Sequence, residues 1–66
     1  MKISLNQQIE EVEYELSQRA SIYPRLNERE PRRRSERELH VNRMKAVKQT
    51  LEWLRENEAR IRAAAE

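Results

Sequence analysis

Residues 22–38, IYPRLNEREPRRRSERE, decide how this chain folds. The stretch holds six arginines, four glutamates, both prolines of the chain and no glycine. Proline lacks the N–H that a helix interior needs, and it pushes the preceding residue out of the α region. Pro24 therefore predicts the end of a helix at about residue 22. Pro31 and Ser35 offer two starts for the next one. Pro31 suits a first helical position, where its missing N–H costs nothing. Ser35 with Glu38 has the spacing of a capping box.

Upstream of this stretch the pattern is helical. In SLNQ, residues 4–7, the Ser4 hydroxyl is placed to accept from the Gln7 amide while the Gln7 side chain reaches back. Leu5, Ile9, Val12, Leu16 and Tyr23 then recur at steps of three, four or seven, with Ala20 filling one place. At ~100° per residue they share an apolar stripe within about 80°. Glu15 is placed to pair with Arg19 at i,i+4. Downstream, nothing breaks the chain. The reading is an all-α, two-helix antiparallel hairpin in one domain, residues 1–66. Its first helix covers about 4–22 and its second about 32–63, joined by a connection of about ten residues.

The second helix is apolar over a wider arc. Met44, Val47, Leu51, Leu54 and Ile61 form one stripe, and Leu39, Ala46 and Trp53 run along its edge. A first helix with a narrow stripe covers only part of that arc. A 66-residue chain is also near the lower limit for folding alone. Both points predict a homodimer that closes into a four-helix bundle. Its expected core and seam are Leu5, Ile9, Val12, Leu16, Tyr23, Leu39, Met44, Val47, Leu51, Leu54 and Ile61. Trp53 is the expected binding hot spot, with the dimer seam as its first location and an external partner as its second.

Composition narrows the function classes. The chain has no cysteine, no aspartate and one histidine. No cofactor, no metal centre and no catalytic activity are expected from it. His40 reads as a partly buried structural residue, Tyr14 as a surface tyrosine, and Arg19 as a side chain beside the stripe that could bond into the turn. No apolar run approaches the ~20 residues that span a bilayer, and the N-terminus lacks a signal-like apolar segment. A cytoplasmic setting, without membrane attachment, is the expectation.

The formal net charge of +2 conceals a gradient. Residues 1–23 carry a balance of −2, residues 24–45 of +4, and residues 46–66 of zero. The excess lies at Arg25, Arg29, Arg32, Arg33, Arg34 and Arg37. Arginine forks suit phosphate, and they equally suit acidic patches on proteins. Glu28, Glu30, Glu36 and Glu38 interleave and lower the local potential. No aromatic residue lies among these arginines to stack on bases. A DNA-reading helix-turn-helix has a tight turn and a supporting third helix, neither of which is expected here. Arg29, Arg32, Arg33, Arg34 and Arg37, with Trp53, are therefore the candidate partner-binding residues. A solvated turn whose charges pair locally is the first reading of these arginines; of the two binding uses, protein contact stands ahead of nucleic acid.

EVEYELSQRASIYPRL at residues 11–26 and MKAVKQTLEWLR at residues 44–55 together resemble a group of small helical-hairpin proteins of bacteriophages and prophages. The likeness rests on Glu11, Glu15, Arg19, Tyr23, Pro24 and Arg25, then Met44, Val47, Leu51 and Leu54. Tyr23–Pro24 with the preceding arginine is its specific element. The group's turn commonly has a glycine and a serine-led cap, where this chain has NEREPRRRS. The resemblance implies a host-takeover factor, similar to anti-activators that bind quorum-sensing transcription regulators. It would be an inhibitor of a host bacterial protein.

Overall fold

The structure, a computed structural model, describes residues 1–65. Helix α1 runs Leu5–Arg29, a short 3-10 turn occupies Pro31–Arg33, and helix α2 runs Arg34–Ala65. The helices pack side by side as an antiparallel hairpin, giving a rod of 53 × 20 × 17 Å. Among the described residues there is no strand.

The start of α1 follows its sequence. The Gln7 amide donates to Ser4 Oγ at 3.1 Å, and the Ser4 amide donates to Gln7 Oε1 at 2.9 Å. Two of the N–H groups that a helix start leaves without partners are thereby satisfied.

The end of α1 corrects the expectation at Pro24. The helix passes through Pro24 and continues to Arg29. Pro24 has no N–H, so the Ala20 carbonyl loses its helical partner. Ala20 and Pro24 are both exposed, which leaves that carbonyl to solvent. In return, the extra turn carries Leu26 and Asn27 onto α2, and both are half-buried. Tertiary contact outweighs a local penalty here. Pro31 is the proline that ends the helix: it excludes the α region for Glu30, which sits at φ −131°, ψ 71°. The Glu30 amide still closes the last turn onto the Leu26 carbonyl at 2.7 Å.

The connection is accordingly far shorter than ten residues. Only Glu30 lies outside helical structure between residues 5 and 65. Pro31 takes the first position of the 3-10 turn. Ser35, the alternative start, falls inside α2 instead of capping it. None of the described residues has positive φ, so the absence of glycine costs the reversal nothing.

The seam repeats every seven residues in both helices. On α1 it is Leu5, Ile9, Val12, Leu16, Arg19, Tyr23 and Leu26; on α2 it is Arg37, Val41, Met44, Lys48 and Leu51. All are buried or half-buried. Steps of four and three in alternation are those of a left-handed coiled-coil seam. Leu39, Val47 and Ile61, expected in the core or dimer seam, are not covered by α1: they are 48%, 48% and 42% exposed. His40, expected to be partly buried, is exposed as well. Val41 and Leu26 take the inner places instead. Tyr14 is on the surface, as its position opposite the stripe predicts.

Arg37 locks the turn. Its Nη1 donates to Asn27 Oδ1 at 2.8 Å and to the Glu30 carbonyl at 3.1 Å. Its Nη2 meets Glu30 Oε2 at 3.3 Å. One guanidinium thus engages the helix-end side chain, the helix-end carbonyl and the cap carboxylate. Arg19, the arginine read as a bond into the turn, pairs with Glu15 at 3.1 Å, which the i,i+4 spacing also predicts.

Two stability changes test this account by thermal circular dichroism. Arg37→Ala removes charge-assisted bonds at a part-buried site and should cost about 2–3 kcal/mol, with Arg37→Lys a poor substitute because an ammonium lacks the fork. Pro24→Ala should restore the Ala20 carbonyl's partner and raise the melting temperature, by roughly 4–8 °C for each kcal/mol gained in a domain of this size.

Candidate functional site

Two surfaces stand out, one apolar and one basic. The apolar surface lies on α2. Relative to Met44 in the seam, Val47, Leu54, Ile61, Thr50, Leu39, Ala46 and Trp53 turn progressively away from α1, over an arc of about 60° to 180°. Leu54 at the near edge is half-buried, while Trp53 at the far edge is 57% exposed. Leu39, Val47, Trp53 and Ile61 are all large, apolar and exposed on this one side of one helix. Scattered exposed apolar residues need no explanation, but four large ones on one side of ~33 Å of helix, from residue 39 to residue 61, do, even with Arg43, Thr50 and Asn57 among them.

The hairpin's own interior explains why the strip matters. Ile9, 2% exposed, is the only buried hydrophobic residue among those described. The remaining seam residues are half-covered, because two helices enclose each other from one side only. So small an interior supplies little apolar burial to offset the entropy of ordering the chain.

The basic surface lies at the turn. Arg29, Arg32, Arg33 and Arg34 are all exposed. Arg33 lies 3.9 Å from Glu30, and Arg34 lies 3.2 Å from Glu38. Arg29 and Arg32 make no ion pair among the described residues. The carboxylates therefore neutralise part of the cluster, and the two free guanidinium groups flank the Pro31 turn, where Arg29, Glu30, Pro31, Arg32 and Arg33 line a shallow hollow. Arg37 departs from its expected role. With its side chain 10% exposed and its fork engaged inside the hairpin, it holds the turn and is not offered to a partner. Its sequence neighbours gave no hint of this. Its position did: it lies seven residues before Met44, on the seam line.

Trp53 and the arginine cluster are far apart along the rod. Trp53 belongs to the half of α2 that packs near the start of α1, where Arg55 Nη1 donates to Asn6 Oδ1 at 3.1 Å. Arg29–Arg34 belong to the opposite end. They are two surfaces and not one composite site. A third feature is the groove on the other side of the seam, lined by Ala20, Tyr23, Pro24, Val41 and Lys45 among others. Among the described residues, no cluster of three or more potential metal ligands forms, and no helix is long and apolar enough to cross a membrane.

The exposed arginines should be dispensable for folding. Arg33 and Arg34 are about 70% exposed in their pairs, and surface pairs of this kind contribute ~0–1 kcal/mol. Arg33→Ala and Arg34→Ala together should leave the melting temperature nearly unchanged, in contrast to Arg37→Ala. No protein-family model, no curated protein and no solved structure matches this chain.

Proposed function

We propose that this chain is a protein-binding modulator: a helical hairpin that pairs with a second copy through the outer face of α2 and presents its arginine-rich turn to an acidic surface of a host bacterial protein, which it inhibits. The observation that carries the reading is the apolar strip on α2 that α1 leaves uncovered, with Trp53 on it. Tryptophan in such a place is the residue type most often found to dominate binding. Pairing would bury the strip between the two copies of α2 and give the assembly an apolar interface that the hairpin alone does not have. The arginine end stays free in such a pair, because it lies beyond the strip. Arg29 and Arg32, without ion pairs of their own, are the groups available for an acidic partner. The bacteriophage resemblance of residues 11–26 and 44–55 supplies the bacterial host and the inhibitory role.

The same two arginines favour a second reading, a nucleic-acid-associated protein that grips phosphate. The two readings separate by salt. Phosphate binding weakens steeply as salt rises, in proportion to the phosphates neutralised. Under the first reading, a mobility-shift assay at 50 mM salt with micromolar protein shows no shift of DNA or RNA. The purified protein instead captures a specific bacterial protein from lysate, and Arg29→Glu with Arg32→Glu abolishes the capture. A nucleic-acid shift lost in the same variant would favour the second reading.

Pairing itself is read by light scattering. The expected mass at tens of micromolar is twice the 8.1 kDa of the chain. Trp53→Ala should move the equilibrium toward monomer, and the melting temperature of the wild type should rise with concentration. A mass of one chain would sink the dimer.

A further inference from the structure

The outer face of α2 has a pattern of its own, and the pattern reads nearly the same from both ends. Its centre is Thr50. Three residues on one side of Thr50 is Val47, and four on the other side is Leu54. Four residues before it is the small Ala46, and three after it is the large Trp53. Eleven before it is Leu39, and eleven after it is Ile61. A surface related to itself in this way fits a copy of itself turned by a two-fold axis. We infer that the second copy packs antiparallel along α2, with the axis passing beside Thr50. This rests on the pairing proposed above and specifies its geometry.

Each contact follows from that one placement. Antiparallel helices related by such an axis bring residues i and j together when their numbers sum to about twice that of the axis residue, and residues on the same flank of the face meet each other. Val47 and Leu54 share one flank; Ala46 and Trp53 share the other. Val47 therefore meets the partner's Leu54. Trp53 meets the partner's Ala46, the smallest residue on the face. Ala46, Gln49, Thr50 and Trp53 already line a shallow hollow on α2, so the partner's indole enters a hollow that the helix carries beforehand. Leu39 meets the partner's Ile61 at each end. Leu39, Arg43, Ala46, Thr50, Trp53 and Asn57 also step by four and three, the spacing of a second coiled-coil seam on the same helix.

Charge agrees with the antiparallel choice. Arg43 sits on this face and makes no ion pair among the described residues. In the antiparallel arrangement it comes beside the partner's Asn57, a neutral residue of the same face. In a parallel arrangement it would face the partner's Arg43, and Trp53 would face the partner's Trp53 with no small residue to receive it. The face points about 120° away from the direction of α1. The two α2 helices thus form the middle of the assembly, and the two α1 helices flank it without touching across the axis.

The chain has no cysteine, so single cysteines report the geometry without interference. Three variants are made: Thr50→Cys, Leu39→Cys and Ile61→Cys. Each is checked for unchanged helicity and for a dimer mass by light scattering under reducing conditions. Under mild oxidation Thr50→Cys should form a disulfide dimer. Leu39→Cys alone should not, since its two copies would lie ~33 Å apart at 1.5 Å rise per residue. Leu39→Cys mixed with Ile61→Cys should give the mixed dimer. Self-linking of Leu39→Cys would overturn the antiparallel geometry, and so would a Thr50→Cys dimer that never links. In either case a dimer mass leaves the pairing itself standing, whereas a monomer mass removes both. A second readout needs no cysteine: Asn57→Arg, which sets an arginine beside the partner's Arg43, should weaken the dimer several-fold, and adding Arg43→Glu should recover it. Absence of recovery, with helicity intact, overturns the register.

Discussion

The hairpin depends on one guanidinium. Arg37 is the point where the end of α1, the 3-10 turn and the first turn of α2 are joined. It binds Asn27 and Glu30 at distances of 2.8–3.3 Å. The last carbonyls of a helix lack internal partners, and a cation beside them also complements the helix dipole. Glycine in a left-handed conformation commonly serves this purpose. Here there is no glycine, and a side chain from the following helix does the work. That ties the reversal to the approach of α2, so the turn and the helix packing form together.

This arrangement also explains how a chain so rich in charge makes a defined fold. Most of its ion pairs among the described residues are local, between residues three or four apart in the chain, and they specify no tertiary contact. Two polar contacts bridge the helices and fix their register: Arg37 at the turn and Arg55 with Asn6 near the open end. Between them lies an apolar seam with Ile9 as its most enclosed residue. The seam supplies cohesion but is half-open. Its incompleteness and the uncovered face of α2 are one fact, since helices packed in a pair always leave most of each cylinder outside.

Much of this was legible in the chain and some was not. The Ser4–Gln7 box, the Leu5–Ile9–Val12–Leu16 stripe and the two-helix architecture follow from local spacing, which the fold preserves. Pro24 misleads because the rule against proline weighs one hydrogen bond and cannot see Leu26 and Asn27 reaching α2. Leu39 and Val47 were expected in the core or the dimer seam; a broad apolar arc does not say which part of it α1 will cover, and α1 leaves both exposed. Arg37 was hidden among five other arginines of the same stretch. A count of three and then four back from Met44 through Val41 separates it from them and places Val41 inside, and the same alternation carried along α1 from Leu5 to Tyr23 places Leu26 inside. For the surfaces, exposure of Trp53 and clustering of the arginines at one end were readable. Their separation along the rod needed the final helix lengths.

Pro24 has a consequence beyond the length of α1. The break in the hydrogen-bond ladder at Ala20 divides α1 into two stretches that do not support each other through that bond. The stretch after Pro24 is held chiefly from the other side of the turn, by Arg37 on Asn27 and Glu30. What the side-chain bonds tie together at this end is therefore not a helix in the chain-order sense. It is the last turn of one helix joined to the first turns of the next, a small knot of structure that the sequence writes as two separate elements.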